Sequence, residues 1–152
     1  GNTIHDAWLQ GVFVFTEAGT SPWPTDNLIQ GNRLYHNARE NMARNKDGGW
    51  PGAFSTQRAN RVRVIGNTIY ENWGEGIVFN LASNSIASDN VVYDNFSTNL
   101  YMDHATNCTF ERNFVYQTGK TDFQRQLGGQ WNPGAGIQMA NENYEDANPL
   151  NG

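Results

Sequence analysis

Apolar residues along this chain come in short alternating runs, such as Val62-Arg63-Val64, Ile77-Val78-Phe79 and Leu100-Tyr101-Met102, and no window holds an apolar stripe at helical spacing. Alternation at period two predicts short strands rather than helices. Gly, Asn, Asp and Ser punctuate the runs, and these residues tolerate left-handed backbone or bond locally to turn amides. The runs also repeat. Gly66-Asn67-Thr68-Ile69-Tyr70-Glu71-Asn72 returns as Asp89-Asn90-Val91-Val92-Tyr93-Asp94-Asn95 and again as Glu111-Arg112-Asn113-Phe114-Val115-Tyr116, with the anchors Asn67, Asn90 and Asn113 standing 23 residues apart. Two further copies start at Gly1-Asn2-Thr3-Ile4 and Gly31-Asn32-Arg33-Leu34-Tyr35, with longer gaps that loops would occupy. Each unit of such a repeat buries its apolar face only against its neighbours, so the period predicts a solenoid of about five coils.

These phrases, Asn-x-hydrophobic-Tyr-x-Asn together with Gly74-Glu75-Gly76-Ile77, resemble the repeats of right-handed parallel β-helix proteins of the pectate-lyase-like kind. The resemblance covers nearly the whole chain and implies an all-β solenoid. With the anchor asparagines as register marks, Val12, Phe54, Ile77, Leu100 and Ile137 fall in one inward column, and Val14, Thr56, Phe79, Met102 and Met139 fall in the next. The alternate columns face outward. One is Phe13, Ser55, Val78, Tyr101 and Gln138; the other is Phe15, Gln57, Asn80, Asp103 and Ala140. The Asn67, Asn90 and Asn113 column is expected to form a ladder of side-chain amides inside a turn, because buried polar groups need partners and a repeated column supplies them. Trp8, Trp73 and Phe96 form an aromatic column expected to pack in a turn.

The 152 residues make one domain the prior. Because the sequence begins at Gly1-Asn2-Thr3 and runs out in a polar tail, the expectation is a segment of a longer solenoid, or a stacking unit, with uncapped ends. The sequence has no run of apolar residues long enough to span a membrane. Its single Cys108 is expected to point inward, and no Cys/His cluster suggests a metal. Net charge is −5, divided unevenly: residues 1–65 carry seven Lys/Arg against five Asp/Glu, and residues 66–152 carry three against ten. That balance argues against nucleic acid as a partner, which needs a basic face. The resemblance, with abundant Asn, Gly, Trp and Tyr, implies an extracellular or cell-surface protein of bacterial type.

Two insertions break the 23-residue rhythm, near residues 41–52 and 120–133, and both precede the same strand column on coils separated by two tight coils. They are expected to rise as two walls beside a strip of sheet roughly 14 Å across. A third insertion, near 16–26, lies on the other side of its strand. The paired loops carry Trp50, Trp131, Phe123 and Arg125 beside Lys46 and Asp47. Tryptophan in a polar loop exposes large apolar area unless something covers it, and a sugar ring is a natural cover. The substrate-binding candidates are therefore Trp50, Trp131, Glu75, Asn80 and Arg125. The catalytic candidates are Asp103 and His104 as acid or base, Tyr101 as proton donor and Arg58 as charge stabiliser.

The resemblance implies polysaccharide as partner, with lyase or glycoside hydrolase chemistry if the protein is an enzyme. Two departures stand out. Lyases of this kind use calcium held by several carboxylates, and here Asp47 or Asp122 would have to join Asp103 from the loops; no cofactor is otherwise expected. A glycosidase needs two carboxylates about 5 to 10 Å apart, and the register places Glu75 about 16 Å from Asp103 along the strand direction. Asp103, read as outward-facing, is expected to tolerate Asp103→Asn with little change in stability. The rival expectation is a non-catalytic building block of an extracellular filament, with Asn151-Gly152 abutting Gly1-Asn2 of the next copy.

Overall fold

The computed structural model describes residues 1–45 and 48–142; Lys46, Asp47 and the Asn151-Gly152 end lie outside them. The four expected columns can be followed directly through strand pairing, because the chain winds as a stack of parallel coils. Each coil contributes short strands to three sheets. The first sheet is ordered β1 (Thr3–His5), β4 (Arg33–Tyr35), β7 (Thr68–Tyr70), β10 (Val91–Tyr93) and β13 (Phe114–Tyr116). The second, which carries the candidate site, runs β2 (Val12–Phe15), β5 (Gly52–Asn60), β8 (Glu75–Ser83), β11 (Leu100–Asp103) and β16 (Ile137–Ala140). The third holds β3 (Leu28–Gln30), β6 (Arg63–Ile65), β9 (Ile86–Ser88) and β12 (Thr109–Glu111).

The expected register holds residue for residue. Val12 pairs with Phe54, Phe54 with Ile77, Ile77 with Leu100 and Leu100 with Ile137. Phe54, Ile77, Phe79 and Leu100 are fully buried or nearly so, together with Leu34, Val64, Ile69 and Val92 from the other two sheets. On the outermost strand β16 the same columns are open, and Ile137 and Met139 are exposed. Cys108 packs half-buried against the core, as the inward column requires, and burial raises its thiol pKa.

Asparagine ladders set the corners. Asn2 donates through its backbone N–H and side-chain Nδ2 to Asn32 Oδ1, Asn32 does the same to Asn67, Asn67 to Asn90 and Asn90 to Asn113, all at 2.9 to 3.1 Å. The residue before each anchor turns through left-handed backbone, as at Gly31 (φ 65°), Gly66 (φ 64°), Asp89 (φ 57°) and Arg112 (φ 51°). Glycine takes that conformation without strain. A second ladder, not expected from the sequence, runs through Asn37, Asn72 and Asn95 in the same double-donor pattern. It ends on Asn99 of the same coil. The next coil offers Thr118 one repeat on, and Thr118 bonds Asp94 instead.

On the outer face of the first sheet, His5, Tyr35, Tyr70, Tyr93 and Tyr116 stack at centroid spacings of 4.6 to 5.4 Å. The rings cover one another's faces, and Tyr70 in the middle of the stack is buried. Of the aromatic column read in the sequence, Phe96 is buried and Trp73 packs on Phe123, whereas Trp8 is exposed. Turn packing therefore describes its inner members only.

Candidate functional site

The outward column of the second sheet reads Phe13, Ser55, Val78, Tyr101, Gln138 from β2 to β16. Small side chains at the centre between rings on either side make a trough. The insertion before β5 and the one before β16 deepen it into a groove of about 780 Å³, lined by Trp50 and Pro51 on one flank and by Arg125 and Asn132 to Ala135 on the other. That volume lies within the range of small-ligand sites, roughly 300 to 1,000 Å³.

The two insertions do not stand apart as open walls. Arg125 places its guanidinium 4.5 Å from the Trp50 ring centroid, and Arg44 lies 5.2 Å from the Trp131 ring and 5.3 Å from that of Trp73. Arg44 Nη2 also donates to the Asp122 carbonyl at 2.6 Å. Long arginine stems and flat indoles bury apolar area against each other with the cation over the ring face, so each insertion becomes the other's support. Nor is the second insertion a plain loop. It folds into an antiparallel hairpin, β14 (Arg125–Leu127) with β15 (Gln130–Asn132), around Gly128 and Gly129, both at positive φ. A Gly-Gly pair between two short runs is a recognised two-residue hairpin signal.

Glu75 enters the groove from a tightly held segment. A Cβ at Gly74 would stand 1.9 Å from the Pro51 carbonyl oxygen, and one at Gly76 would stand 2.3 Å from that of Asn99. No side chain fits at either position, so Glu75 is clasped between the coil before it and the coil after it. Gly76→Ala is expected to cost about 3 kcal/mol, the upper range for overpacking, because the obstacle is backbone. A urea midpoint equal to the parent's would show that the clasp yields.

The Glu75 side chain is nine-tenths buried and has no hydrogen-bond or ion-pair partner among the described residues. Burial, then repulsion by Glu142 and by Asp103, pushes its pKa up to about 8. At neutral pH it holds its proton, a state suited to a general acid. Glu142 accepts a hydrogen bond from the Tyr101 hydroxyl at 2.7 Å, and its backbone N–H donates to Asp103 Oδ1 at 3.0 Å. The same Asp103 oxygen lies 2.9 Å from His104 Nδ1. Burial and the Glu142 bond raise the Tyr101 pKa, keeping the phenol protonated.

The family model described as right handed beta helix region matches residues 1–151. The chain belongs to the right-handed β-helix family. No curated protein and no solved structure matches it.

In this β-helix the residues singled out from the sequence are distributed as follows. Trp50, Glu75, Asn80, Tyr101 and Arg125 all line the groove. Trp131 is 44% exposed and lies against Arg44, outside the groove lining. Asp103, expected on an outer face, is fully buried, and the His104 side chain is 6% exposed. Both stand behind Tyr101 and Glu142 and outside the lining. His104 and Arg58 share a corner column with Leu81, and all three are left-handed (φ 49°, 56° and 51°), so the chain turns there as the pairing of Asp103 with His104 demands. Arg58 lines no part of the groove. Among the described residues no group of three His, Cys, Asp or Glu is placed to hold a metal ion, and the Asp122 backbone carbonyl accepts a hydrogen bond from Arg44.

Glu142 was missed in the sequence. It lies two residues past the end of β16, where the repeat register no longer assigns a face, and only the fold brings it to Tyr101.

Proposed function

We propose that the groove on the second sheet binds a polysaccharide segment and that Glu75 is its acid, donating a proton to a bound glycosidic oxygen. The observation that carries this reading is the lining. Phe13, Val78, Trp50 and Tyr101 give apolar surface, and Ser55, Asn80, Gln138 and Glu75 interleave hydroxyl, amide and carboxyl groups. A pyranose ring has the same alternation, with apolar C–H faces and a hydroxyl rim. Asn80 adds an amide to the lining, and its Oδ1 is buried without a hydrogen-bond partner. The β-helix fold and a setting outside the cell fit such a role, and calcium is not required by it.

Isothermal titration against neutral, amino and uronic oligosaccharides, with tryptophan fluorescence read in parallel, tests the proposal. Binding is expected for at least one class, weakened about tenfold or more in Trp50→Ala. Absence of heat and of any fluorescence change across the panel would refute it.

A second reading draws on Ile137 and Met139, which occupy core columns yet are 55% and 71% exposed. A second copy stacked end to end would cover them, making the protein a filament unit. Sedimentation velocity decides: a monodisperse monomer across a hundredfold concentration range counts against stacking.

A further inference from the structure

The hairpin of β14 and β15 is built unlike the rest of the groove. No other described strand pairs with it, and a two-stranded hairpin by itself is marginally stable in water. Its residues from Gln126 to Pro133 are all exposed. Its feet are fixed. Phe123 and Gln124 are buried before it, and after it Gly134 packs so closely that a Cβ there would stand 1.5 Å from the Ser97 carbonyl oxygen.

Side chains fasten the raised part between those feet. Paired residues of antiparallel strands share a face, and successive residues alternate between faces. Arg125 and Asn132 therefore form one face, and both line the groove; Gln126 and Trp131 form the other, and neither lines it. The insertion at 41–52 grips both faces. Its Trp50 lies under the Arg125 guanidinium on the groove side, and its Arg44 lies against the Trp131 ring on the far side. Each contact of this kind is weak at an exposed site, so the hairpin belongs to the parts of a fold that open without global unfolding.

The groove-side contact also covers what the groove offers. Arg125 occupies a face of the Trp50 indole, the kind of surface on which a sugar ring stacks. The Phe96 ring stands against the same indole at 66°. A glycan and Arg125 thus compete for one ring.

We propose that the hairpin is a flap over the groove and that Arg125 on Trp50 is an autoinhibitory contact, displaced by the glycan that takes its place. This rests on the carbohydrate reading of the same groove. The competent state is the one with Trp50 uncovered, and apparent affinity falls in proportion to the fraction of molecules in that state.

The experiment titrates glucose oligomers and N-acetylglucosamine oligomers into the parent, Arg125→Ala and Arg125→Lys by calorimetry, with a thermal melt to confirm that each is folded. Both oligomers are uncharged, so removing a cation alters their binding through access to the ring and not through charge. Arg125→Ala is expected to bind about threefold tighter than the parent or better, and Arg125→Lys, which keeps a cation beside the ring, should fall between the two. In a Trp50→Ala background the gain should vanish. Arg44→Ala, which acts on the far face, should also tighten binding and should speed amide hydrogen exchange over residues 125–132 relative to β8. Unchanged or weaker binding in Arg125→Ala overturns the flap and leaves the carbohydrate groove standing, as does a gain that persists without Trp50. Exchange over 125–132 as slow as over β8, in the parent and in Arg44→Ala alike, overturns it as well. No binding of either oligomer by the parent or by Arg125→Ala removes the groove reading and this one together.

Discussion

Asn90→Ala is expected to lower the stability of this protein by about 3 kcal/mol or more, a shift of about 10 °C in melting temperature for a chain of this length. The size follows from counting what one side chain holds. Asn90 Oδ1 accepts from both the backbone N–H and the Nδ2 of Asn67, at 2.9 and 3.0 Å. Its Nδ2 donates to the Val64 carbonyl and to Asn113 Oδ1, each at 2.9 Å. Asn90 is 1% exposed, so no water replaces these partners without opening the coil. Alanine removes all four bonds and strands the Asn67 N–H, for which an unsatisfied buried donor costs about 1 to 3 kcal/mol. Asn113, at the end of the ladder and partly exposed, serves as the control: Asn113→Ala should cost about half as much. Thermal denaturation of the two variants measures this, and equal melting temperatures for Asn90→Ala and the parent would break the ladder account.

The repeat made the scaffold legible, because a column that recurs every 23 residues states its own register. Phe54, Ile77 and Leu100 needed no structure to be aligned, and neither did the placing of both insertions beside one strip of sheet. Departures from the repeat were harder. Asp103 was read outward by alternation, but it is the last residue of its strand, before the left-handed His104, and the returning chain at Glu142 covers it. Its burial overturns the expectation that Asp103→Asn leaves stability unaltered: the substitution alters a fully buried acceptor of the Glu142 N–H and a partner of His104. The contacts of Arg44 with Trp131 and of Arg125 with Trp50 join residues far apart in the chain and in no common column, so no spacing could announce them. The Asn37, Asn72 and Asn95 ladder was present in the repeated motif and went unread. Its asparagines closed each copy of the phrase and were taken for turn punctuation.

Glu75→Gln is expected to make the protein more stable than the parent at alkaline pH and to leave it nearly unchanged near pH 4. The folded protein keeps the Glu75 proton up to about pH 8, against an ordinary value of 4.5. Between those values the folded state binds a proton that the unfolded state has released, so stability contributed by the protonated carboxyl is whole below pH 4.5 and is lost as pH rises through about 8. Each tenfold change in proton affinity is worth about 1.4 kcal/mol, which sets a ceiling of about 5 kcal/mol on the loss. Glutamine has the shape of the protonated acid and nothing to titrate, so it escapes that loss. The quantity to follow is the difference in unfolding free energy between Glu75→Gln and the parent, measured by urea denaturation from pH 4 to 9.5, because every other titrating group cancels in it. That difference should grow with pH in favour of the glutamine and flatten above pH 8. Glu142→Gln provides the internal check. Removing the carboxylate whose repulsion follows burial as the second cause of the raised pKa should move the flattening to lower pH. Two parallel stability curves would mean that Glu75 is ionised in the folded protein at neutral pH, and it could not then be the groove's acid.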